Sequence, residues 1–565
     1  MNHSRKCIFI FLFSFINNLT SLFSESFLLN IDSSYFQNYS IVQSDQQKEF
    51  QEYFLRRNVD LMNEPPSKET SMDIIIISAS NQSLVNFWEK RLKKTRDYLV
   101  SPESLIICVE EDWSSGGAGN GLGSLYAYKK AHEKALNEWG IDIFKEQLKG
   151  ASIAMYHTAG QGKRLAPLTI SELGIKSAVE LPGLICPCED NEMGVTLITL
   201  LEATIKQSMI FAPSRKGRLS VFWSDQVFIP SRSCQQNSNS HIDILVKKIP
   251  FPNELEWSQK NLDNYGLLAW DGQGNAKLFD KCDYKTFGEI LSSHRAIADE
   301  GLGISMGAFS LSVEMLAALL DEFNPELSNR TQLFDSDPYF WMPLTLDDDS
   351  YISAMLIRKI PLNDIKNHYE RMQKFKKRFN KKNEMSSLTF FNGIDIGSES
   401  YWWDYGTLDS YYHNNLIMTN KGLESDLMRT FFLLNNNNSS SKEKMDDNET
   451  SSLVLGSNIK EGKIKNSIVL NVNAEELTIN HSILIGCDVK SLTAQRSLIY
   501  HVKEFEPLHL EEYMVRADVH TLFDKLKLKS SIKADGKSNW KIRLFDNTHS
   551  WEEAIEFIYN QNLEM

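Results

Sequence analysis

A repeat of fifteen residues near the carboxyl end is the feature that most constrains the fold of this chain. Four short apolar runs, each opened by a serine, start at Ser452, Ser467, Ser482 and Ser497. One strand of this kind cannot bury its apolar face, whereas stacked copies bury it against one another. The period therefore predicts a small parallel β-helix over residues 451–515. The alternative is a β-meander whose sequence repeats by chance. The handedness is not readable from the sequence.

Upstream of the repeat, apolar runs of strand length alternate with stretches of helical length. The strand-like runs are residues 73–78, 105–109, 151–157 and 219–223. The helical stretches between them are residues 84–96, 122–139 and 195–211. This alternation predicts an α/β fold with a mainly parallel sheet and helices on both faces.

The sequence of 565 residues is too long for one hydrophobic core, because domains usually hold roughly 100–200 residues. We predict five parts from the changes in pattern. They are an N-terminal leader or extension (1–70), the α/β domain (71–432), a polar linker (433–450), the β-helix (451–515) and a C-terminal tail (516–565).

The charge balance is acidic, with 60 Lys and Arg against 74 Asp and Glu, which gives a net charge of −14. A surplus of acid argues against wide electrostatic capture of nucleic acid or anionic lipid. A local basic pocket for a phosphorylated small molecule is still compatible with it. We therefore expect a small-molecule partner and no nucleic acid.

The first residues have the features of a secretory signal. Arg5 and Lys6 precede an apolar run at residues 7–16, and small residues follow at 21–24. The run is too short to span a bilayer as a helix. Residues 5–24 thus resemble a signal peptide, and a poorly ordered leader is an equally weighted alternative. No later stretch is long and apolar enough to cross a membrane, so we expect no stable membrane span.

A glycine-rich loop at residues 158–169 follows the third strand-like run. Such a loop lies at the carboxyl edge of a parallel sheet, where ligands bind. Gly160 and Gly162 let the backbone approach a polyphosphate closely, and Lys163 and Arg164 supply cationic donors. The spacing is not that of a P-loop, because no Gly-Lys-Ser/Thr opens a helix here.

This loop resembles that of the nucleotidyltransferases that make nucleotide sugars, whose signature is Gly-x-Gly-x-Arg, then Pro, then a later Lys. The matching residues are Gly160, Gly162, Arg164, Pro167 and Lys176. Lys163 is a departure, because many members of the family have Thr or Ser there. An ordinary strand-to-loop turn is the alternative interpretation.

The resemblance implies a Rossmann-like catalytic domain and assigns roles to the loop. Arg164 and Lys176 would act in catalysis. The residues that would hold the nucleoside triphosphate are Ala159, Gly160, Gly162 and Lys163.

Two aspartates match the metal ligands of the same family. Asp225 follows the fourth strand-like run in the order Ser-Asp-Gln, and Asp404 lies in Trp-Trp-Asp-Tyr-Gly-Thr, which resembles the family element Trp-x-Asp-x-Gly-Thr. Two carboxylates at strand ends suit a hard cation that bridges phosphate oxygens. The resemblance therefore implies Mg²⁺ on Asp225 and Asp404. Either aspartate alone would more simply be a cap or turn residue.

Three segments between these aspartates match the sugar-phosphate stations of the family more loosely. They contribute Tyr265, Gly266, Lys281 and Gly307. The resemblance implies that Lys281 contacts the sugar phosphate. Surface lysine and turn glycine are equally weighted alternatives at these positions.

An earlier glycine cluster, residues 114–124, has two interpretations. The part Gly-Leu-Gly-Ser at 121–124 resembles the phosphate loop of small-molecule kinases such as galactokinase and mevalonate kinase, in which a helix N-terminus receives the phosphates. Alternatively, the order of both glycine loops resembles fucose-1-phosphate guanylyltransferases and the pyrophosphorylase half of bifunctional fucokinases, which residues 150–164 and 173–182 also resemble. We prefer the second interpretation, because it explains both loops in one domain.

On the preferred interpretation, the first cluster lines the nucleotide pocket. The residues implied are Gly116, Gly117 and Gly119.

The expected reaction joins a nucleoside triphosphate to a sugar 1-phosphate and gives a nucleotide sugar and pyrophosphate, with a product similar to GDP-fucose as one candidate. The rivals are a sugar kinase built on residues 119–124 and a non-catalytic regulatory or scaffold protein. The repeat region offers no convincing catalytic histidine for an acyltransferase, because His481 and His501 are more simply exposed or packing residues. We expect the β-helix to serve packing or homo-oligomer contacts. Nucleoside triphosphates are cytosolic, so we place the protein in the cytoplasm despite residues 5–24.

Overall fold

The computed structural model describes residues 33–114, 116–160, 162–186, 195–235, 237–271, 274–293, 301–434, 452–521 and 524–562. The chain divides into two compact units, Met1–Tyr53 and Phe54–Met565. The signal-like residues 5–24 and the predicted linker beyond residue 434 lie outside the described residues.

The strands all belong to the second unit. In chain order they are β1 (Ile74–Ala79), β2 (Leu105–Glu110), β3 (Ile153–His157), β4 (Glu180–Leu184), β5 (Leu197–Thr199), β6 (Arg218–Trp223), β7 (Gln226–Ile229), β8 (Ser240–Ile249), β9 (Gly266–Trp270), β10 (Ala276–Asp280), β11 (Leu302–Ser312), β12 (Thr389–Asp395), β13 (Tyr401–Asp404), β14 (Leu453–Leu455), β15 (Asn458–Lys465), β16 (Ile468–Leu470), β17 (Asn473–Asn480), β18 (Ile483–Ile485), β19 (Asp488–Gln495), β20 (Leu498–Tyr500), β21 (Lys503–Glu504), β22 (Leu508–Leu510), β23 (Met514–His520) and β24 (Lys525–Ser531).

The described residues also form α-helices. They are α1 (Ser33–Asn63), α2 (Gln82–Leu99), α3 (Gly119–Trp139), α4 (Ile143–Leu148), α5 (Leu168–Ser171), α6 (Leu200–Ser208), α7 (Glu254–Gln259), α8 (Tyr284–Ser293), α9 (Val313–Glu322), α10 (Asn324–Asn329), α11 (Met342–Thr345), α12 (Asp348–Ile357), α13 (Leu362–Lys382), α14 (Leu408–Leu416), α15 (Leu423–Phe431) and α16 (Trp551–Asn562). Among the described residues, none of the helices combines the length and the apolar character that crossing a membrane requires.

The central sheet has the strand order β10-β9-β11-β6-β3-β1-β2, with β8 paired to β11 and β12. Strands β2, β1, β3 and β6 run parallel, whereas β11 is antiparallel to β6, β8 and β9. The protein is therefore mixed α/β with a parallel-rich sheet, which confirms the fold class at this level. The antiparallel half of the sheet was not predicted from the sequence.

Strand β1 shows why this sheet needs helices on both faces. Its residues alternate in direction, so Ile75 and Ile77 pack in one core with Trp88 of α2, whereas Ile74 and Ile76 pack in a second core with Leu122 of α3. A strand that is apolar at every position is stable only when both of its faces are covered.

The pattern predicted one helix over residues 195–211. The structure instead has the strand β5 followed by the shorter helix α6. Thr199 and Glu202 form a capping box, in which the Thr199 hydroxyl accepts from the Glu202 N–H and the Glu202 carboxylate accepts from the Thr199 N–H. This pairing starts α6 at Leu200. The residues before it form β5, which pairs with β4.

The repeat region forms two ladders of parallel strands with an offset of fifteen residues. Leu453 pairs with Ile468, Ile468 with Ile483, and Ile483 with Leu498. Strands β15, β17, β19 and β21 pair with the same offset. The regular offset follows from the sequence period, because each repeat places the same residue type beside its copy.

The repeated serines connect neighbouring repeats. The N–H of Ser482 donates to the Ser467 hydroxyl at 3.0 Å, and the N–H of Ser497 donates to the Ser482 hydroxyl at 3.2 Å. All three serines are buried. The hydroxyls of Ser467 and Ser482 thus each satisfy a backbone donor that would otherwise be unpaired in the interior.

The apolar residues after each serine face two different cores. Leu484 and Ile499 lie in the core between the two ladders. Their neighbours Ile483, Ile485 and Leu498 pack on the core that contains α2. This two-sided burial explains why three consecutive residues are apolar in each repeat.

The C-terminal tail packs on the exit of the glycine-rich loop. Trp540 and Trp551 form a small core with Ala166 and Ile170, and Ser171 donates to the carbonyl of Asp518 at 2.6 Å. The tail is therefore in direct contact with the segment that the sequence singled out for phosphate binding.

A cluster of titratable side chains joins the repeat region to the α/β core. The ring of His501 donates to Glu180 at 3.2 Å and lies 3.6 Å from Glu172, and the Tyr500 hydroxyl donates to Glu172 at 2.6 Å. Burial raises the pKa of Glu172 to about 7, against the opposing charge of His501. Burial alone would lower the pKa of His501, but its bond to Glu180 and the charges of both glutamates raise it.

We expect His501→Gln to destabilise the protein at pH 6 by roughly 1–2 kcal/mol, because it removes a hydrogen bond from a charged donor. A histidine whose pKa is raised on folding stabilises the fold below its unfolded pKa, and this contribution is lost as the pH rises through the folded pKa. The difference from wild type should therefore shrink at pH 9. Chemical unfolding at both pH values measures it.

His509→Gln is the matched control, because His509 is an exposed histidine of the same repeat region. It should leave the free energy of unfolding unchanged at both pH values. A difference for His501→Gln that does not depend on pH would contradict this account of the cluster.

Candidate active site

The two predicted metal ligands become neighbours through one pair of strands. Asp225 lies between β6 and β7, and β13 pairs antiparallel with β7 so that Asp404 lies opposite Gln226. The N–H of Tyr405 donates to the carbonyl of Asp225 at 2.8 Å. Two residues far apart in the sequence are thus held side by side by backbone hydrogen bonds.

The glycine-rich loop depends on Gly162 for its shape. Gly162 has φ +60°, and a Cβ at this position would lie 2.6 Å from Cβ of Lys176. Both the left-handed backbone and the close approach exclude a larger residue. Gly162 therefore brings Lys176 against the loop, although thirteen residues separate them in the sequence.

Three charged side chains of the prediction converge near Gly406. A Cβ built on Gly406 would lie 3.0 Å from Asp404 Oδ1, 3.4 Å from Asp225 Oδ2 and 3.6 Å from Arg164 Nη2. In addition, Lys176 Nζ forms an ion pair with Asp225. Two carboxylates and two cations thus meet at the carboxyl edge of the sheet.

The electrostatics of Asp404 reflect this crowding. Burial raises the pKa of Asp404, and the neighbouring charge of Asp225 raises it further, while the N–H of Gly406 and the charges of Lys176 and Arg164 oppose the shift. The Gly406 N–H donates to Asp404 Oδ1 at 2.7 Å. The negative charge of Asp404 is therefore under-compensated in the absence of a further cation.

Arg164, Asp225 and Asp404 line one cleft of about 280 Å³. The four predicted sugar-phosphate residues, Tyr265, Gly266, Lys281 and Gly307, line the same cleft. The predicted residues for metal binding and sugar phosphate, and Arg164 of the two predicted catalytic residues, thus line one cleft. Lys176 is connected to the cleft through its ion pair with Asp225.

The two glycines of the cleft wall are required by close packing. A Cβ on Gly266 would lie 2.9 Å from Asp337 Oδ2, and a Cβ on Gly307, whose φ is +71°, would lie 2.2 Å from Trp223 Nε1. A side chain at either position would push an aspartate or a tryptophan out of place. These glycines therefore shape the cleft rather than serve as simple turns.

Further charged residues of the cleft carry no sequence signal. Arg358 donates to the carboxylate of Asp280 at 2.6 Å, and Asp335 and Asp337 line the cleft with them. Burial raises the pKa of Asp337 to about 7, with a further contribution from the charge of Asp280. Asp280 directly precedes Lys281 in the sequence, whereas Asp335, Asp337 and Arg358 are brought to the cleft by tertiary packing.

The nucleotide-binding residues predicted from the glycine clusters occupy two kinds of surroundings. A Cβ on Gly116, Gly117 or Gly160 would have no atom within 4 Å, so these glycines border open space. Gly119 is covered, because its Cβ would lie 2.7 Å from the backbone of Phe334. Ala159 is the second residue after β3 and precedes Gly160.

The N-terminus of α3 is filled by the chain itself. The N–H groups of Gly121 and Leu122 donate to the carbonyl of Phe334, at 3.0 and 3.1 Å, and the N–H of Asn120 donates to Asp335 at 3.0 Å. A kinase of the type considered above would need these amides for phosphate. Their occupation disfavours the kinase interpretation.

Lys163 lies apart from the carboxylates, against the C-terminal tail. Its Nζ lies 4.8 Å from the centre of the Trp540 ring. A Cβ on Gly536 would lie 2.0 Å from the carbonyl oxygen of Lys163. No motif or spacing in the sequence indicates this contact.

The residues present fit a magnesium site completed by substrate. No group of three or more His, Cys, Asp or Glu side chains in the described part of the chain could hold a metal ion. Mg²⁺, however, is commonly held by one or two carboxylates plus substrate phosphates and water. Asp225 and Asp404 supply such a pair, and the charge of Asp225 adds to burial in raising the pKa of Asp404.

No protein-family model matches the chain, and no curated protein matches it. The interpretation of the cleft therefore rests on its residues and their geometry.

We expect Asp404→Asn to raise the free energy of unfolding in metal-free buffer by roughly 1 kcal/mol, because it removes a charge that its surroundings disfavour. The amide oxygen can still accept from the Gly406 N–H. The same variant should lose any stabilisation by Mg²⁺ with a nucleoside triphosphate. Chemical unfolding with and without these ligands measures both effects.

Asp409→Asn is the control, because Asp409 is an exposed aspartate close by on α14. Its stability should stay within about 0.5 kcal/mol of wild type, with ligand stabilisation intact. Destabilisation of Asp404→Asn in metal-free buffer would contradict the electrostatic account.

Proposed function

We propose that this chain is a nucleotidyltransferase that joins a nucleoside triphosphate to a sugar 1-phosphate and releases pyrophosphate. The observation that carries the proposal is the convergence of Arg164, Asp225 and Asp404 on one cleft. The same cleft is lined by Lys281, which offers further positive charge, and by Arg358, which is paired with Asp280. A site that pairs carboxylates for a hard cation with several phosphate-binding cations suits two polyanionic substrates.

The reaction needs no nucleophile from the protein. The sugar phosphate is an anion at neutral pH, so one of its oxygens attacks the α-phosphorus of the triphosphate and forms a new P–O bond. The bond from the α-phosphorus to the bridging oxygen breaks, and pyrophosphate leaves with the electron pair. The barrier is the repulsion between two anions, so the protein acts by positioning and charge neutralisation.

The residues of the cleft divide this task. Arg164 binds the leaving pyrophosphate, since its fork of donors matches phosphate oxygens. Lys176, held beside Asp225, lies where it can contact phosphate near the transfer centre. Mg²⁺ on Asp225 and Asp404 would neutralise the charge of the phosphate oxygens.

The finer fold assignment belongs to the same proposal. We propose a Rossmann-like transferase domain followed by a small parallel β-helix at residues 451–515. The parallel ladders with their fifteen-residue offset and the serine bonds between repeats support the β-helix. Its apolar strands pack on the α/β core, which favours a role in supporting the catalytic region. A homo-oligomer through the β-helix stays a prediction, as does a location in the cytoplasm.

A product assay separates the proposed transferase from its rivals. The purified full chain is incubated with Mg²⁺, one of the common nucleoside triphosphates and a panel of sugar 1-phosphates, beginning with GTP and fucose 1-phosphate. Pyrophosphate release that requires the sugar phosphate supports the transferase. Nucleoside diphosphate release with free sugars would establish a kinase instead, and failure to bind any triphosphate would favour the scaffold.

We expect Arg164→Ala to lower kcat/KM by about 10²-fold, which is typical for loss of one donor to a developing anion. Arg164→Lys should recover only part of this loss, because a lysine lacks the planar fork. Steady-state kinetics of pyrophosphate release measure both variants.

Arg378→Ala is the control, because Arg378 is an exposed arginine on α13 that pairs with Glu322. Its kinetics should match those of wild type, and all three variants should share the thermal stability of wild type. Wild-type kinetics for Arg164→Ala would remove the loop from the mechanism.

A further inference from the structure

The C-terminal tail touches the glycine-rich loop at its most charged point. The backbone of Gly536 packs directly on that of Lys163, since a Cβ on Gly536 would lie 2.0 Å from the Lys163 carbonyl oxygen and 3.4 Å from Cα of Arg164. No side chain fits between the two segments. The path of the tail therefore constrains the backbone from which both cations project.

Trp540 contacts the side chain of Lys163 from the same tail. The ammonium lies 4.8 Å from the centre of the indole ring, within the range of a cation–π interaction. The ring is 6% exposed and is fixed in the small core that contains Ala166, Ile170 and Trp551. A rigid ring thus holds the end of an otherwise flexible side chain.

The Trp540 ring is an uncharged partner for Lys163. In the part of the chain that the structure describes, it forms no ion pair within 4 Å, whereas the nearby Lys176 is paired with Asp225. An aromatic face attracts a cation without neutralising it. Lys163 is also the position at which the loop departs from the family it resembles, where Thr or Ser is common.

We propose that Trp540 is a positioning residue that holds Lys163 for contact with the polyphosphate of the nucleoside triphosphate. The tail then completes the nucleotide site. This inference rests on the proposed function, because it requires a triphosphate at the loop. Loss of the ring should weaken triphosphate binding through Lys163 and leave the sugar-phosphate side unaffected.

Calorimetry of the full chain with Mg²⁺ and GTP, and with Mg²⁺ and ATP, tests the inference. Trp540→Leu should raise the Kd of the bound triphosphate about five- to tenfold, in keeping with the strength of a partly buried cation–π contact. Trp551→Leu is the matched control, because Trp551 is a buried tryptophan of the same small core. It should leave the Kd near the wild-type value.

A double-mutant cycle separates positioning from general damage to the tail. Lys163→Met should weaken binding, and Trp540→Leu should add nothing in the Lys163→Met background. Trp540→Phe retains an aromatic face, so its Kd for the triphosphate should lie between those of wild type and Trp540→Leu. If the leucine variant fails to fold, the phenylalanine variant replaces it in the test. In pyrophosphate release, the KM for the triphosphate should rise while the KM for the sugar phosphate stays constant.

Three outcomes overturn the inference. Equal effects of Trp540→Leu and Trp551→Leu, or additive effects of Trp540→Leu and Lys163→Met, would show that the ring acts only through the fold. A wild-type Kd in the Trp540→Phe variant and also in the Lys163→Met variant would show that neither partner contributes. If wild type binds no triphosphate, the proposed function fails as well, and this result is distinct from the other two.

Discussion

The antiparallel pairing of β7 with β13 is the interaction on which the cleft depends. It is short, from Tyr401 opposite Ile229 to Asp404 opposite Gln226, and it lies outside the central sheet. Side chains support it on one edge, where Trp402 Nε1 donates to Gln226 at 2.9 Å. Without this pairing, Asp225 would end a strand beside open solvent and Asp404 would have no fixed place.

This pairing also sets the energetic character of the cleft. It forces two carboxylates together at a partly buried edge, which raises the pKa of Asp404 through burial and the charge of Asp225. Lys176 compensates Asp225 directly. The protein thus holds unfavourable charge in place by backbone hydrogen bonds, and a site of this kind gains most when a cation or a cationic neighbour arrives.

Much of the fold could be predicted because the parallel strands of its central sheet are mostly apolar. The run 73–78 became β1 (Ile74–Ala79), and 219–223 became β6 (Arg218–Trp223). The strand β7, by contrast, has only four residues, and β13 lies within an aromatic motif. The pairing of these two strands could therefore not be predicted from the sequence. Helix α1 was also missed, although Leu55, Val59 and Met62 bury one face of its last turns.

The candidate site shows the same division. Residues of the loop and the two aspartates could be selected because they lie in short motifs, in the order of a known family, and short motifs are visible in the local sequence. Asp335 and Asp337 lie in the cleft beside Phe334, whose backbone docks on the start of α3, whereas Arg358 reaches the cleft from the end of α12. Such docking depends on the packing of distant elements and leaves no period or spacing in the sequence.

The cations Lys163, Arg164 and Lys176 are stabilised in different ways, and the differences are chemically useful. Lys176 is paired with a carboxylate, Arg164 is exposed at the cleft, and Lys163 lies on an aromatic ring. If all three had carboxylate partners, an incoming triphosphate would compete with three ion pairs before it gained any attraction. If none had a partner, the like charges would repel one another and disperse. A ring under Lys163 avoids both costs, because it restrains the ammonium without cancelling its charge. The tail that carries this ring is anchored in its own small apolar core, so the restraint does not depend on the substrate.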